Sequence, residues 1–226
     1  MKTSFFAGVA VASCTLSASA GIVAGWSIPN AVPAATTGTN YTYGAADLGD
    51  ATAGTSLSGF HALAATTWSS PAGNGSTYSF SSNNWSVGDY YQIAVSTAGY
   101  SNISLAWDQT RSSTGPSNFR VDMSTDGTNF STILASYSVI QAGLAGTNTL
   151  AWSVANGVQA AFTTTISSIV GADDQATLVF RFVNLSTVAT GGTNRIDNII
   201  VSGDVVPAPG AIALLGLAGL AARRRR

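Results

Sequence analysis

The side chains able to do chemistry in this chain are few and scattered. All ten acidic residues are Asp, the one histidine is His61, and the one cysteine is Cys14. The only adjacent acids, Asp173 and Asp174, stand in Gly171-Ala172-Asp173-Asp174-Gln175. That composition reads as a solvated turn, whereas an acid pair for glycoside hydrolysis needs carboxylates facing each other from separate elements. His61 lies on a Gly, Ala and Thr-rich stretch with no Ser, Cys or Asp partner in any motif, so it reads as a surface or capping residue. Asp126-Gly127 has the sequence of a turn and lacks the remaining ligand spacing of a calcium loop. Aromatic faces are the remaining resource, because a flat ring can hold the apolar face of a sugar. Trp107 and Trp152 fall in strand patterns and read as core, while Trp85, beside Tyr90 and Tyr91, is the least core-like and the candidate ligand residue.

Strands joined by tight turns must carry these groups. Lys and Glu are scarce or absent and Ser, Thr, Asn and Gly abundant, which disfavours long surface helices. Ile22 to Ile28 reads as an N-terminal strand followed by a long irregular excursion to residue 60. Tyr90 to Ser96 and Asn102 to Asp108 each alternate with period two across a Thr97-Ala98-Gly99-Tyr100 turn, which predicts an antiparallel hairpin. Phe119 to Met123 and Phe130 to Leu134 flank Ser124-Thr125-Asp126-Gly127-Thr128, and Asp-Gly tolerates the positive φ of a hairpin loop. Asn148 to Ala155, Ala176 to Val183 and Arg195 to Val201 continue the strand pattern; residues 158–170 fit a short helix or a strand at Thr163 to Ile169. The expectation is an all-β chain folded as a β-sandwich or jelly roll, with no internal repeat.

The two ends read as addresses. Met1 and Lys2, the apolar run Phe5 to Ala12, and small residues ending at Ala18 and Ala20 have the order of a secretory signal, with cleavage before Gly21. Val11-Ala12-Ser13-Cys14 offers the rival of lipoprotein processing at Cys14. At the other end Val206-Pro207-Ala208-Pro209-Gly210 precedes an apolar stretch to Ala222 and then Arg223, Arg224, Arg225 and Arg226. A helix over that stretch would span roughly 20 Å against a hydrocarbon core of about 30 Å, so it crosses only marginally, stopped by the arginines on the cytoplasmic side. The expected division is 1–20 signal, 21–203 exported domain and 204–226 anchor. Without Lys2 and the terminal arginines, four arginines oppose ten aspartates, a net of −6, which offers no attraction for nucleic acid. With cleavage after Ala20 the exported part has no thiol, hence no disulfide and no cysteine nucleophile.

Residues 206–226 resemble the sorting signal of the PEP-CTERM proteins, a Pro-Glu-Pro motif followed by a short membrane helix and an arginine cluster. Ala208 stands where that family has Glu. The resemblance implies processing by signal peptidase and an exosortase-like enzyme in a Gram-negative-type bacterium. It further implies a membrane-held intermediate and a final place at the cell surface or in the extracellular polysaccharide matrix. Residues 90–133, with Phe119-Arg120-Val121 and Ser124-Thr125-Asp126-Gly127, and the run Gly191-Gly192-Thr193-Asn194-Arg195-Ile196-Asp197-Asn198-Ile199, look like the jelly-roll ectodomains that precede such signals. Those resemble galactose-binding-like and carbohydrate-binding modules in architecture, a likeness that does not carry function. Related jelly rolls place a calcium ligand near the end of the last strand, which implies Asp197 as a candidate for a structural calcium and otherwise an Asp-Asn pair bonding its own turn. No other cofactor is implied. Two roles stay open: a displayed, non-catalytic matrix protein, and a lectin-like module that holds extracellular polysaccharide.

Overall fold

The computed structural model describes residues 20–62, 66–188 and 190–207. Cys14, Ala18, Ala208, Pro209, the apolar tail and Arg223 to Arg226 lie outside the described residues.

Period-two alternation produces strands because successive side chains leave a strand on opposite faces. Among the described residues twelve strands result: β1 (Ala20–Trp26), β2 (Asn40–Gly44), β3 (Ser56–Phe60), β4 (Trp68–Ser69), β5 (Phe80–Ser82), β6 (Tyr90–Val95), β7 (Tyr100–Arg111), β8 (Asn118–Ser124), β9 (Ser131–Ser138), β10 (Thr163–Ile166), β11 (Leu178–Asn184) and β12 (Asn194–Val205). They form two antiparallel sheets. The first runs β10-β7-β12-β5-β4, with β1 also on β12; the second runs β2-β3-β6-β11-β8-β9. Their inner faces share one core: Ile103, Leu105, Trp107, Ile196 and Val201 from the first sheet meet Leu57, Ile93, Phe119, Val121, Phe180 and Phe182 from the second. Trp107 and Phe182 touch across the gap with ring centroids 4.9 Å apart. Burying each such side chain stabilises the fold by roughly 1.5–3 kcal/mol. The all-β expectation holds, and the chain is a β-sandwich.

The Asp126-Gly127 hairpin forms as expected, β8 pairing with β9 and Gly127 at φ 76°. Asp126 locks the loop: Oδ1 accepts from the backbone N–H of Thr128 and Asn129 and from the Ser124 hydroxyl, and Oδ2 from Asn129 Nδ2. These bonds hold its carboxyl well below the usual carboxylate range.

The predicted hairpin of β6 and β7 is corrected. β6 pairs with β3 and β11 in the second sheet, and β7 with β12 and β10 in the first. Both strands bury one face in the same core, so alternation shows that each is half-buried without showing which strand lies beside it. The Thr97 turn therefore crosses between sheets, held by Thr97 Oγ1 donating to the Ala172 carbonyl at 2.6 Å. Asp173 and Asp174 are exposed in a turn, as expected; Asp174 accepts from the Gly99 N–H at 2.8 Å.

The strand expected over 148–155 is also absent. Leu150 and Val154 are exposed while Trp152 is buried, and Val154–Asn156 is a single 3-10 turn. Side-chain amides take the backbone groups that a ladder would have used: Leu150 N–H donates to Gln159 Oε1 and Asn156 Nδ2 to the Ala151 carbonyl. Within 158–170 both alternatives occur in shortened form, a 3-10 turn at Ala160–Phe162 leading into β10, which ends at Ile166 rather than Ile169. The excursion after β1 to residue 60 contains two short strands, β2 and β3, and its 47–51 stretch bonds along β1 through Gly25 N–H to the Leu48 carbonyl and Ala51 N–H to the Val23 carbonyl. The last strand continues to Val205, past the expected boundary at 203, and Ala20 already pairs with Asp204.

Candidate functional site

Three clusters bring together groups that are distant in sequence. The first lies on the outer face of the first sheet. β12 has β7 along one edge, while its other edge passes from β5 at Asn194–Ile196 to β1 at Ile199–Asp204. At the change of neighbour the strand bulges, and Asn198 takes φ 46°. The loop after β4 enters this gap. Asp197 Oδ2 accepts from Asn74 N–H at 2.8 Å and from Ser76 Oγ at 2.7 Å; Oδ1 accepts from Asn198 N–H at 2.9 Å. Asp108, the register partner of Asp197, accepts from Asn74 Nδ2, Asn198 Nδ2 and Thr163 Oγ1 at 2.8, 2.8 and 2.5 Å. Both carboxylates are buried. Removal from water, with the Asp108 charge adding to it, pushes the Asp197 carboxyl up to about 7, against the pull of its three hydrogen bonds. Gly73 is required here, since a Cβ would fall 1.9 Å from Ser76 Oγ and 2.2 Å from Asp197 Oδ2.

A calcium ion at Asp197 does not fit this donor set. Each carboxylate oxygen already accepts from an N–H or O–H group, and calcium needs six to eight oxygens turned toward it. Among the described residues no three Asp, Glu, His or Cys side chains gather. The cluster is a hydrogen-bonded knot that closes the gap between β5 and β1.

The second cluster corrects the reading of His61, which is fully buried. His61 Nε2 lies 3.0 Å from Ser82 Oγ and its Nδ1 3.2 Å from Asp89 Oδ2, the connectivity of a Ser-His-Asp triad. Asp89 also accepts from the N–H groups of Ala62 and Ser86. Acyl transfer would need a substrate carbonyl at Ser82 Oγ with oxyanion donors around it. Trp68 and Trp85 fill that space, their rings 5.0 and 4.5 Å from the imidazole, and Ser82 is 1 % exposed. In this packing the triad ties β5 to the chain just after β3 and just before β6.

Trp85, the predicted ligand residue, belongs to the same wall. It is buried, donates its indole N–H to the Ser82 carbonyl at 3.0 Å, and meets Tyr91 and Phe119 as well as His61. Only its margin lines a hollow of about 410 Å³ with Ser86, Val87 and Val188. No open face remains for a sugar ring. Tyr91 also points inward; Tyr90, one position earlier, points out.

The third cluster is the outer face of the second sheet, where Tyr90 stands. Register places Phe60, Tyr90, Val183 and Arg120 in one row across β3, β6, β11 and β8, and Ser58, Gln92, Arg181 and Asp122 in the next. Phe60 and Tyr90 stack at 5.1 Å, close to the spacing of neighbouring strands, so the rings rise side by side from the sheet. The Arg181 guanidinium continues the stack, 4.4 Å from the Tyr90 centroid and 3.7 Å from that of Phe130, which the locked Asp126 loop delivers. Arg181 Nε donates to Gln92 Oε1 at 2.8 Å. Asp122 is held by Arg120 Nε at 2.9 and 3.0 Å and by Thr132 Oγ1 at 2.7 Å. The result is a ridge of ring edges beside a row of planar hydrogen-bonding groups. Sequence reading missed it because Phe60, Tyr90, Phe130 and Arg181 share no motif; the one available signal was that the solvent-facing positions of strands β3 and β6 carry aromatic rings.

Val206 and Pro207 follow β12 directly and are exposed. No family model and no curated protein matches the chain. Among solved structures it is similar to the CBM22-1 and GH10 modules of the Clostridium thermocellum endo-1,4-beta-D-xylanase 10B, complexed with xylohexaose (14 % identity, TM-score 0.43). That match takes in 83 % of this chain and 29 % of the other, so the chain spans less than a third of that protein. It is similar to the K3 cleaved adhesin domain of Lys-gingipain from Porphyromonas gingivalis (13 % identity, 81 % and 99 % covered, TM-score 0.44). The family 11 carbohydrate-binding module of a Clostridium thermocellum cellulosomal cellulase is also similar (10 % identity, 85 % and 98 % covered, TM-score 0.37).

Proposed function

We propose that the chain is a non-catalytic glycan-binding module carried to the cell surface, and that the outer face of the second sheet is its binding face. The observation that carries this reading is the continuous stack of Phe60, Tyr90, Arg181 and Phe130 beside Gln92 and Asp122. A sugar chain presents apolar C–H patches flanked by hydroxyl groups. Ring edges exclude water from the former, and fixed amide and guanidinium groups pair with the latter. The strands hold these side chains in place before a ligand arrives, which keeps the ordering cost of binding small. Export by the N-terminal signal and retention through the Pro207-Ala208-Pro209 tail belong to the same proposal, with signal peptidase and an exosortase-like enzyme as processing partners. A module anchored there would hold extracellular polysaccharide at the cell surface.

Tyr90→Ala removes the middle ring of the stack and is expected to weaken glycan binding by about tenfold or more, the scale of a central anchor. The measurement is affinity electrophoresis of the full chain in mild detergent through gels cast with neutral and acidic polysaccharides, with Trp85→Phe as a control that leaves the face intact. Retardation that Tyr90→Ala does not relieve, or the absence of retardation by every polymer, would overturn the proposal.

A further inference from the structure

We infer that the ligand of this face is an acidic polysaccharide whose uronate carboxylate is taken by Arg181; the inference rests on the glycan-binding reading. The described part of the chain holds four arginines, and three are committed. Arg111 donates to the carbonyls of Val139, Ser112 and Ser113; Arg195 donates to the Ala72 carbonyl; Arg120 is paired with Asp122. Arg181 spends only its Nε, on the neutral Gln92, and among the described residues its two Nη groups donate to nothing; Arg120 likewise bonds through Nε alone, but to a carboxylate.

Its setting fixes the direction of that free edge. Tyr90 and Phe130 cover the guanidinium, and the Gln92 bond pins its inner edge. What remains is the pair of Nη N–H groups, a planar fork that matches the two oxygens of a carboxylate. Beside it on the sheet stand Arg120 and Asp122, the latter the register partner of Arg181, with Arg120 Nε reaching both oxygens of the carboxylate. One carboxylate against two guanidinium groups leaves these two rows at a net +1. The exported part as a whole is acidic, at −6, so attraction for an anion is local to this spot and reaches about one screening length, roughly 8–10 Å. A neutral glycan would use the fork only as a donor to hydroxyl groups. A uronate gains charge-assisted bonds about twice as strong.

The test compares polygalacturonate, alginate and polyglucuronate with the same polymers after chemical reduction of their carboxyl groups to alcohols, using full chain in detergent and titration calorimetry. The expected result is binding of at least one uronate polymer about tenfold or more tighter than of its reduced form, with that preference lost in Arg181→Gln and only partly kept in Arg181→Lys, which keeps the charge without the fork. Unchanged far-ultraviolet circular dichroism shows that the variants fold. Equal binding of a polymer and its reduced form, still sensitive to Tyr90→Ala, would overturn the uronate inference and leave the glycan-binding function standing. A uronate preference that survives Arg181→Gln would overturn the assignment to Arg181. Failure to bind any polymer, acidic or neutral, would remove both.

Discussion

Raising the pH from 5 to 9 is expected to destabilise this protein by an amount on the order of 3 kcal/mol, about two pKa units at 1.4 kcal/mol each, and Asp197→Asn is expected to abolish most of that loss. Asp197 titrates near 7 in the folded chain because burial and the neighbouring Asp108 disfavour its charge. In the unfolded chain it has an ordinary Asp value of 3.8. Between these values the folded state binds more proton than the unfolded state, so stability falls as pH rises. The contribution is fully present below about pH 4 and gone above about pH 7, at about 1.4 kcal/mol for each tenfold difference in proton affinity. Asp126 works in the opposite sense, since its carboxyl is held low by its loop; it titrates in acid, beneath the range of the experiment. Urea unfolding at pH 5, 7 and 9 supplies the measurement. In the Asn variant the amide oxygen still accepts from Asn74 N–H and Ser76 Oγ while its NH2 group meets the Asn198 N–H, a fixed cost independent of pH, so its stability should change little between pH 5 and 9. A parent and variant with the same slope would show that the carboxylate pair is not what the pH acts on.

The sequence made the strands legible and their neighbours much less so. The β8–β9 hairpin could be read because everything that forms it is local: two alternating runs and an Asp-Gly loop within twenty-one residues. The β6–β7 pairing could not, because an alternating strand declares one buried face and is silent about which sheet it joins. The polar knot was beyond reach for the same reason. Asn74 and Asp197 are 123 residues apart, and neither has a motif. Asp197 could be singled out by its place in the last strand, yet its partners Asp108 and Thr163 carried no signal at all. His61 was misread because a Gly, Ala and Thr-rich stretch resembles a loop, whereas Gly59 in it leaves room for Trp68, whose ring packs edge-on to the imidazole. The aromatic cluster at residues 85–91 lies partly in the core and partly on the outer face of the second sheet. One step of register decided which ring was available, sending Tyr91 into the core and Tyr90 onto the outer face of the second sheet.

Gly59→Ala tests how that register is enforced, and it is expected to be the most damaging small substitution in the second sheet. Gly59 faces inward from β3, and a Cβ there would fall 2.3 and 2.4 Å from Cη2 and Cζ3 of Trp68. The indole has nowhere to go. It is stacked on Phe80 at 5.3 Å and 10°, meets His61 edge-on at 5.0 Å, and donates its N–H to the Gly38 carbonyl at 3.1 Å. Rigid aromatic overpacking of this kind costs about 3 kcal/mol or more, at the upper end for small-to-large changes. That corresponds to a fall in melting temperature of roughly 6–12 °C for a domain of this size. A second change, Trp68→Phe, makes room for the methyl group, so the double variant should be destabilised by less than the sum of the two single ones. Additive losses would mean that the clash is not with Trp68, and a loss below about 1 kcal/mol would mean that the strand can move away from it. Movement of the strand would be visible on the other side of the sheet. Phe60 is the next residue, and displacing it breaks the stack with Tyr90, so glycan affinity should drop in Gly59→Ala and return in the double variant even though neither position touches a ligand.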